Sequence, residues 1–252
     1  MDRSHVFGAA LVVSLAVGAS FVTSTYVASR AYLRRGEQQE RVARTLEVTG
    51  SAKRSIQSDL SLWNIRVAGE GKTLEDAFQK LSGSANKVTE FLNQKGFSSE
   101  AVNPGPIRTE IHYRRDEKGN ETREPSSYRL LRSFEIKTGD VRKVEKAASE
   151  VTELLKMGAH VESLAPEFIY TKLADLKIVM IGEATANARE RAERIAKESG
   201  CSVGTVKDAR AGVLQITRPW STEVTSSGAN DTSSVEKDVT SVVHLSMVIA
   251  AR

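Results

Sequence analysis

The sequence predicts an α+β protein, with a mostly antiparallel sheet and three long helices, preceded by one N-terminal transmembrane helix. Three observations carry this. The hydrophobic periodicity reads β-β-α-β-β-α-β-α-β-β, which mixes hairpins with helices instead of alternating strictly and so favours antiparallel pairing. Three stretches of helical period each stop at a glycine, Gly96, Gly158 and Gly200, in the position that favours a left-handed cap. A run of 23 residues near the start carries no charge.

That run extends from Val6 to Ala28, bounded by Asp2 and Arg3 before it and by Arg30, Arg34 and Arg35 after it. As a helix it covers about 34 Å against a hydrocarbon core of about 30 Å, long enough to span. The competing reading is a cleaved signal peptide, since Val27, Ala28 and Ser29 end the run in small residues. A signal-peptide core is typically about 7 to 15 residues, and the length favours a retained anchor. Arg30, Arg34 and Arg35 against only Arg3 and the amino terminus favour a cytoplasmic body, so the residues themselves leave the orientation open. The chain then divides into a short flank at 1–5, the anchor at 6–28, a basic juxtamembrane stalk at 29–44 and a folded α+β domain at 45–252.

The folded part begins with Leu46 and Val48 alternating with Thr45, Glu47 and Thr49 as a first strand. A second strand spans Leu60 to Ala68, where the apolar parity shifts between Leu62 and Trp63, consistent with a bulge or with burial on both faces. The first helix starts at Thr73, whose hydroxyl caps backbone N–H groups, with Asp76 three residues on. Leu74, Ala77, Phe78, Leu81, Ala85, Val88, Phe91 and Leu92 recur at spacings of three and four and form its core-facing side. Next, Ile107, Thr109, Ile111 and Tyr113 alternate with Arg108, Glu110 and His112, a strand with one wet face. Arg114 to Ser127 supplies a long charged tip, and Tyr128 to Ile136 returns as the partner strand.

A second helix over Asp140 to Met157 is expected to bury Val141, Val144, Ala148, Val151, Leu154 and Leu155. A strand from Val161 to Tyr170 follows, then a third helix from about Ala174 to Ser199, with outer pairs Glu190–Arg194 and Glu193–Lys197 at i, i+4. The remainder is β: a strand or two between Val203 and Thr217, a Gly/Ser/Asp-rich loop from Ser221 to Ser234, and a last strand at Val239 to Ala250 with Val239, Val243, Leu245, Met247 and Ile249 on one face.

The third helix carries a resemblance. Its run Ala184-Thr-Ala-Asn-Ala-Arg-Glu-Arg-Ala192-Glu-Arg-Ile-Ala196-Lys-Glu-Ser-Gly200, followed by Val203-Gly-Thr-Val, is similar to the Ala-rich helix and glycine turn of the SIMPL-domain family. The first strand, Leu46-Glu-Val-Thr-Gly50, and the last, Val239-Thr-Ser-Val-Val-His-Leu-Ser-Met-Val-Ile249, resemble that family's opening and terminal strands, so the likeness covers residues 45 to 250. It implies a SIMPL-like module outside the bacterial cytoplasm, secreted or tethered to the inner membrane, tied to envelope or oxidative-stress defence. It also implies large oligomers in some members and no catalytic residues. That location tips the orientation to the periplasmic side, against the arginine count. The long charged tip departs from the family, so no assembly geometry is carried over.

Composition narrows the function. Lys and Arg number 36 against 32 Asp and Glu, giving a net charge of +4, but the two signs are interleaved and no basic stripe suits nucleic acid. The richest run, Arg30 to Arg44, has five Arg against two Glu beside the anchor, where lipid headgroups explain it better. Cys201 is alone, which excludes a disulfide framework or a CxxC site and marks it as a small buried residue.

Two motifs look chemical. Gly69-Glu-Gly71-Lys72-Thr73 ends as a phosphate loop does, yet Arg66 stands where its first glycine belongs, leaving a turn plus helix cap. Ser84-Ala-Asn-Lys87 with Lys137-Thr-Gly139 matches two of three penicillin-recognising motifs, but Ser84 falls mid-helix and the Ser-Asp-Asn motif is missing. His5, His112, His160 and His244 have no partner at metal-ligand spacing.

The expectation is therefore a non-enzymatic envelope protein with no catalytic, cofactor-binding or metal residues and no cofactor. Its partners are the membrane through residues 6–28 and further copies of itself. The alternative is a membrane-tethered binding module for a partner protein or small ligand, engaged through the charged hairpin tip.

Overall fold

A computed structural model describes residues 29–30 and 45–251. Residues 6–28, where the sequence places the anchor, lie outside the described residues. Among those that are described, no helix is long and apolar enough to cross a membrane. Among residues 45–251 the fold is mixed α/β with antiparallel sheets and three helices, the second of which is interrupted and followed by a single turn. The residues described from 45 on divide into two compact units, one of residues 52–183 and 212–242 and one of residues 45–51, 184–211 and 243–251.

The larger unit is built on the hairpin of β2 (Leu60–Gly71) and β5 (Glu121–Thr138), antiparallel without a break from Ser61 opposite Thr138 to Gly71 opposite Tyr128. β2 carries no bulge: Ser61, Trp63, Ile65 and Val67 alternate inward, and Leu62 sits half-buried on the other face. On β5's far side lie β3 (Val102–Pro104) and β4 (Arg108–Arg115). On β2's far side lie β6 (Val161–Ser163) and β7 (Glu167–Ile169). The sequence reads these last two as one strand; Pro166, which has no N–H to give to a ladder, separates them.

Helix α1 (Leu74–Gln94) begins as predicted, with the Thr73 hydroxyl accepting from the Asp76 N–H at 3.2 Å. It buries Ala77, Leu81, Ala85, Val88, Phe91 and Leu92. Leu74 and Phe78, placed by the period on the same core-facing side, are instead half exposed, at 51% and 50%. Helix α2 (Val141–Glu150), capped by Asp140, gives way at Val151 and Thr152 to a single turn, α3 (Glu153–Lys156). The buried positions keep helical spacing through the break, at Val141, Val144, Ala147, Val151 and Leu154, so the core-facing stripe is narrow. Ala147 becomes the buried alanine, Ala148 is half-buried, and Leu155 turns outward. With the buried faces of β2 and β5, these helices enclose one core around Trp63, Ile65, Leu81, Phe134, Ile136 and Val144. The unit also holds β9 (Gln215–Thr217), antiparallel to the start of β10 (Glu236–Ala251).

In the smaller unit β10 lies between β1 (Thr45–Gln57) and β8 (Cys201–Ala211), with β8 antiparallel to it. Helix α4 (Leu173–Glu198) contributes Ala184, Ala188, Ala192 and Ala196, all buried at a spacing of four. Small residues at that interval let the helix approach a strand closely. A Cβ on Gly50 would stand 2.2 Å from the Ala184 carbonyl oxygen and 2.6 Å from the Ala188 Cβ, so only glycine fits there. On the outer surface of α4 Glu190 pairs with Arg194 at 3.6 Å as expected, whereas Glu193 pairs back to Arg189 at 3.0 Å and not to Lys197. Val243, Leu245 and Met247 are buried on one face of β10, but Ile249 is only half-buried.

Candidate functional site

The two motifs singled out by their chemistry turn out to be structural. Gly69 and Gly71 lie inside β2, where a Cβ would meet the backbone of α1 at 2.2 and 2.6 Å, and Thr73 spends its hydroxyl on the helix cap. Ser84 is buried in mid-helix and accepts from the His160 backbone N–H at 3.2 Å, while Lys137 and Gly139 close β5 ahead of the Asp140 cap. Among the described histidines, His112 and His160 are exposed, and His244 Nδ1 lies 2.9 Å from the Thr49 hydroxyl. No group of three or more His, Cys, Asp or Glu among the described residues is placed to hold a metal. Cys201, expected to be buried, is half-buried at the start of β8, its thiol directed to the Ser199 carbonyl at 3.6 Å.

What the structure does gather is an apolar groove on the larger unit. The β4–β5 hairpin, expected to end in a long charged loop, is paired almost to its end, from Arg108 opposite Leu131 to Arg115 opposite Glu121, with a register shift on either side of Tyr113. Only residues 116–120 turn. The Asp116 carboxylate accepts from the N–H groups of Lys118 and Asn120, each at 2.9 Å, and Gly119 takes φ of +84°. These bonds to Asn120 and Lys118 hold the Asp116 carboxyl below the usual carboxylate range.

The strand β4 is not buried on either face, so the expected dry face is open: Ile107, Ile111 and Tyr113 are 40–43% exposed. Ile107 and Thr109 join Leu74, Phe78 and the inward Leu130 in lining a groove of about 490 Å³. Ile111, opposite Tyr128, and Tyr113, opposite Pro125, extend the apolar line along the hairpin. Nothing pairs with the outer edge of β4 among the described residues. Because the His112 carbonyl accepts from the Ser126 hydroxyl on the β5 side at 2.9 Å, strand alternation directs the backbone groups of Ile111 to that open edge.

The second feature of this unit is a cleft of about 640 Å³ lined by Lys53, Ser55, Ile56, Gln57, Pro219, Trp220 and residues 236–238. Trp220 is 91% exposed and adopts φ of +65°, a left-handed conformation that is a true outlier for an aromatic residue. Its N–H donates to Asp238 Oδ2 at 3.2 Å. Lys53 reaches the same oxygen at 2.9 Å and the Ser55 hydroxyl donates to Oδ1 at 2.7 Å. These bonds, the one from Lys53 first, pull the Asp238 carboxyl down to about 2. Beneath it Lys237 is buried, its Nζ donating to the carbonyls of Asp231 and Ser234 at 2.6 Å each. Burial pushes the Lys237 pKa down, against the opposing attraction of Asp231. The sequence signals nothing of this cleft, because Trp220 stands in a run of polar loop residues and Lys53 and Asp238 are far apart along the chain.

Comparison with known proteins gives a family but not an activity. A search of curated proteins gives no match. Among solved structures, a hydrolase from Listeria innocua is similar at 11% identity over 79% of this chain and 91% of its own, with a TM-score of 0.19, too low to carry an argument. Residues 46–247, by contrast, match the family model described as "SIMPL: Protein of unknown function (DUF541)", nearly the whole span in which the Ala184–Gly200 helix and the two end strands show their resemblance. The chain belongs to the SIMPL family.

Proposed function

We propose that this is a non-enzymatic, membrane-anchored envelope protein, its SIMPL domain on the outer side of the cytoplasmic membrane, that works by self-association in envelope or oxidative-stress defence. The observation that carries self-association is the open β4 edge with its apolar line of Ile107, Ile111 and Tyr113. Unpaired edges bearing exposed apolar residues are templates for pairing with another chain.

The fitting occupant is a second copy, because the strand complements itself. Two β4 strands paired antiparallel about His112 set Ile111 against Tyr113 and Glu110 against Arg114, twice each. The anchor reading is supported by the 23 uncharged residues from Val6 to Ala28 and the outer location by the family resemblance.

Sedimentation of the full chain in detergent tests the central claim. The wild type should sediment as a dimer or larger, and Ile111→Lys with Tyr113→Lys should shift it to monomer with its circular dichroism unchanged. A monomeric wild type, or an assembly indifferent to both changes, would refute it. A second reading, a tethered module that binds a small ligand, is favoured by the Trp220 cleft.

A further inference from the structure

A left-handed conformation at a tryptophan is strained and persists only where its surroundings over-determine it. Here they do. The Asp238 carboxylate, itself fixed by Lys53 and Ser55, holds the Trp220 N–H, and the next residue closes a turn through the Ser221 N–H to the Arg218 carbonyl at 3.1 Å. What the strain achieves is unusual: it presents an indole almost wholly to solvent at the rim of a cleft. Strain of this kind is a pointer to function.

The cleft's electrostatics select the ligand. Each charge on its wall is already answered: Lys53 by Asp238, Glu236 by Arg142, and Lys237 by Asp231. Neither an anion nor a cation meets an uncompensated counter-charge. What remains are uncharged or already neutralised groups at hydrogen-bonding positions. The Gln57 amide is exposed and makes no hydrogen bond among the described residues, and the outer part of Lys53 is solvent-accessible. A flat aromatic face beside amide and ammonium donors suits a ring that is apolar on its faces and hydroxylated at its rim.

We propose that this cleft binds a neutral saccharide, with the Trp220 indole as the stacking platform and the Gln57 amide and Lys53 ammonium as hydrogen-bonding partners. The sugar's C–H face lies on the indole, whose electron-rich surface attracts it, and its hydroxyls replace water at Gln57 and Lys53.

The chain carries its own reporter, since it has two tryptophans and Trp63 is fully buried, so the solvent-quenchable emission belongs to Trp220. The full chain, in a detergent without a sugar headgroup, is titrated with chitotriose, cellotriose and maltotriose, followed by emission and by calorimetry. At least one trisaccharide should give a saturable blue shift and a calorimetric isotherm in the millimolar range or tighter. Trp220→Ala should abolish the isotherm, Trp220→Phe should weaken it by about tenfold, and Gln57→Ala should weaken it without moving the emission of the free protein. Circular dichroism of each variant confirms the fold.

No saturable response to any of the three sugars up to about 10 mM would overturn the proposal, as would an isotherm undiminished in Trp220→Ala. An emission shift produced instead by vesicles of phosphatidylcholine and phosphatidylglycerol, with no response to sugar, would assign Trp220 to a membrane surface and equally overturn it.

Discussion

Gly69 faces the first helix so closely that adding one methyl group should unseat it. A Cβ there would lie 2.2 Å from the Ala77 carbonyl oxygen and 2.3 Å from the Leu81 nitrogen, and ordinary contact begins near 3.4 Å, so α1 must withdraw by roughly 1.2 Å. A radial gap of 0.5–1 Å forfeits about a quarter to a half of each dispersion contact, and a buried leucine makes about 40–60 of them at about 0.1–0.2 kcal/mol. Leu81 alone then loses at least about 1 kcal/mol, and forced overpacking adds about 1–3 more. Gly69→Ala should therefore destabilise by about 2–4 kcal/mol, a large part of a typical total of about 5–15.

Gly83, on the exposed side of the same helix with nothing within 4 Å of an added Cβ, is the matched control. Gly83→Ala should stabilise by about 0.5–1 kcal/mol through helix propensity alone. The assay is urea unfolding followed by far-ultraviolet circular dichroism and by the emission of buried Trp63. A Gly69→Ala midpoint within about 1 kcal/mol of wild type, or a destabilised Gly83→Ala, would refute the packing argument.

Two further outcomes follow from the charged groups around the cleft. Lys237→Met removes the ammonium that serves the carbonyls of Asp231 and Ser234 and leaves a carboxylate without its counter-charge. It should cost about 3–5 kcal/mol in urea unfolding. Asp238, held at about 2 by Lys53 and Ser55 against an unfolded value of 3.8, has a depressed folded pKa. Its contribution is present above the unfolded value and is lost as pH falls through the folded one. Unfolding midpoints measured between about pH 5 and 2 should therefore fall toward acid in the wild type, with Asp238→Asn flattening the slope.

Most of the fold was readable because its elements are patterned for a core that the chain itself supplies. The Thr73 cap, the Ala77–Leu92 stripe, the Ala-rich face of α4 and the alternating Val243, Leu245 and Met247 all bury what their periods say they bury. The failures have distinct physical causes. Pro166 splits a strand that period alone would leave whole, and the core-facing stripe of α2 and α3 is too narrow to include Leu155, which lies beside the buried Leu154. The Trp220 cleft was invisible because its partners come from β1 and β10 and its defining feature is a backbone angle, for which a run of polar loop residues gives no sign.

One error differs from these, and it bears on function. Leu74, Phe78, Ile107, Ile111 and Tyr113 are spaced as buried residues are spaced, on a helix and on a strand, yet the folded chain leaves all five about half open. Hydrophobic period records the burial a side chain is suited to, and does not say which molecule provides the cover. Leu74, Phe78 and Ile107 line one apolar groove, and Ile111 and Tyr113 continue along β4 to an edge that nothing pairs with among the described residues. A pattern suited to a core and left uncovered in the single chain is what an interface between copies would produce, and it is also why Lys at Ile111 or Tyr113 should cost assembly without costing the fold of the monomer.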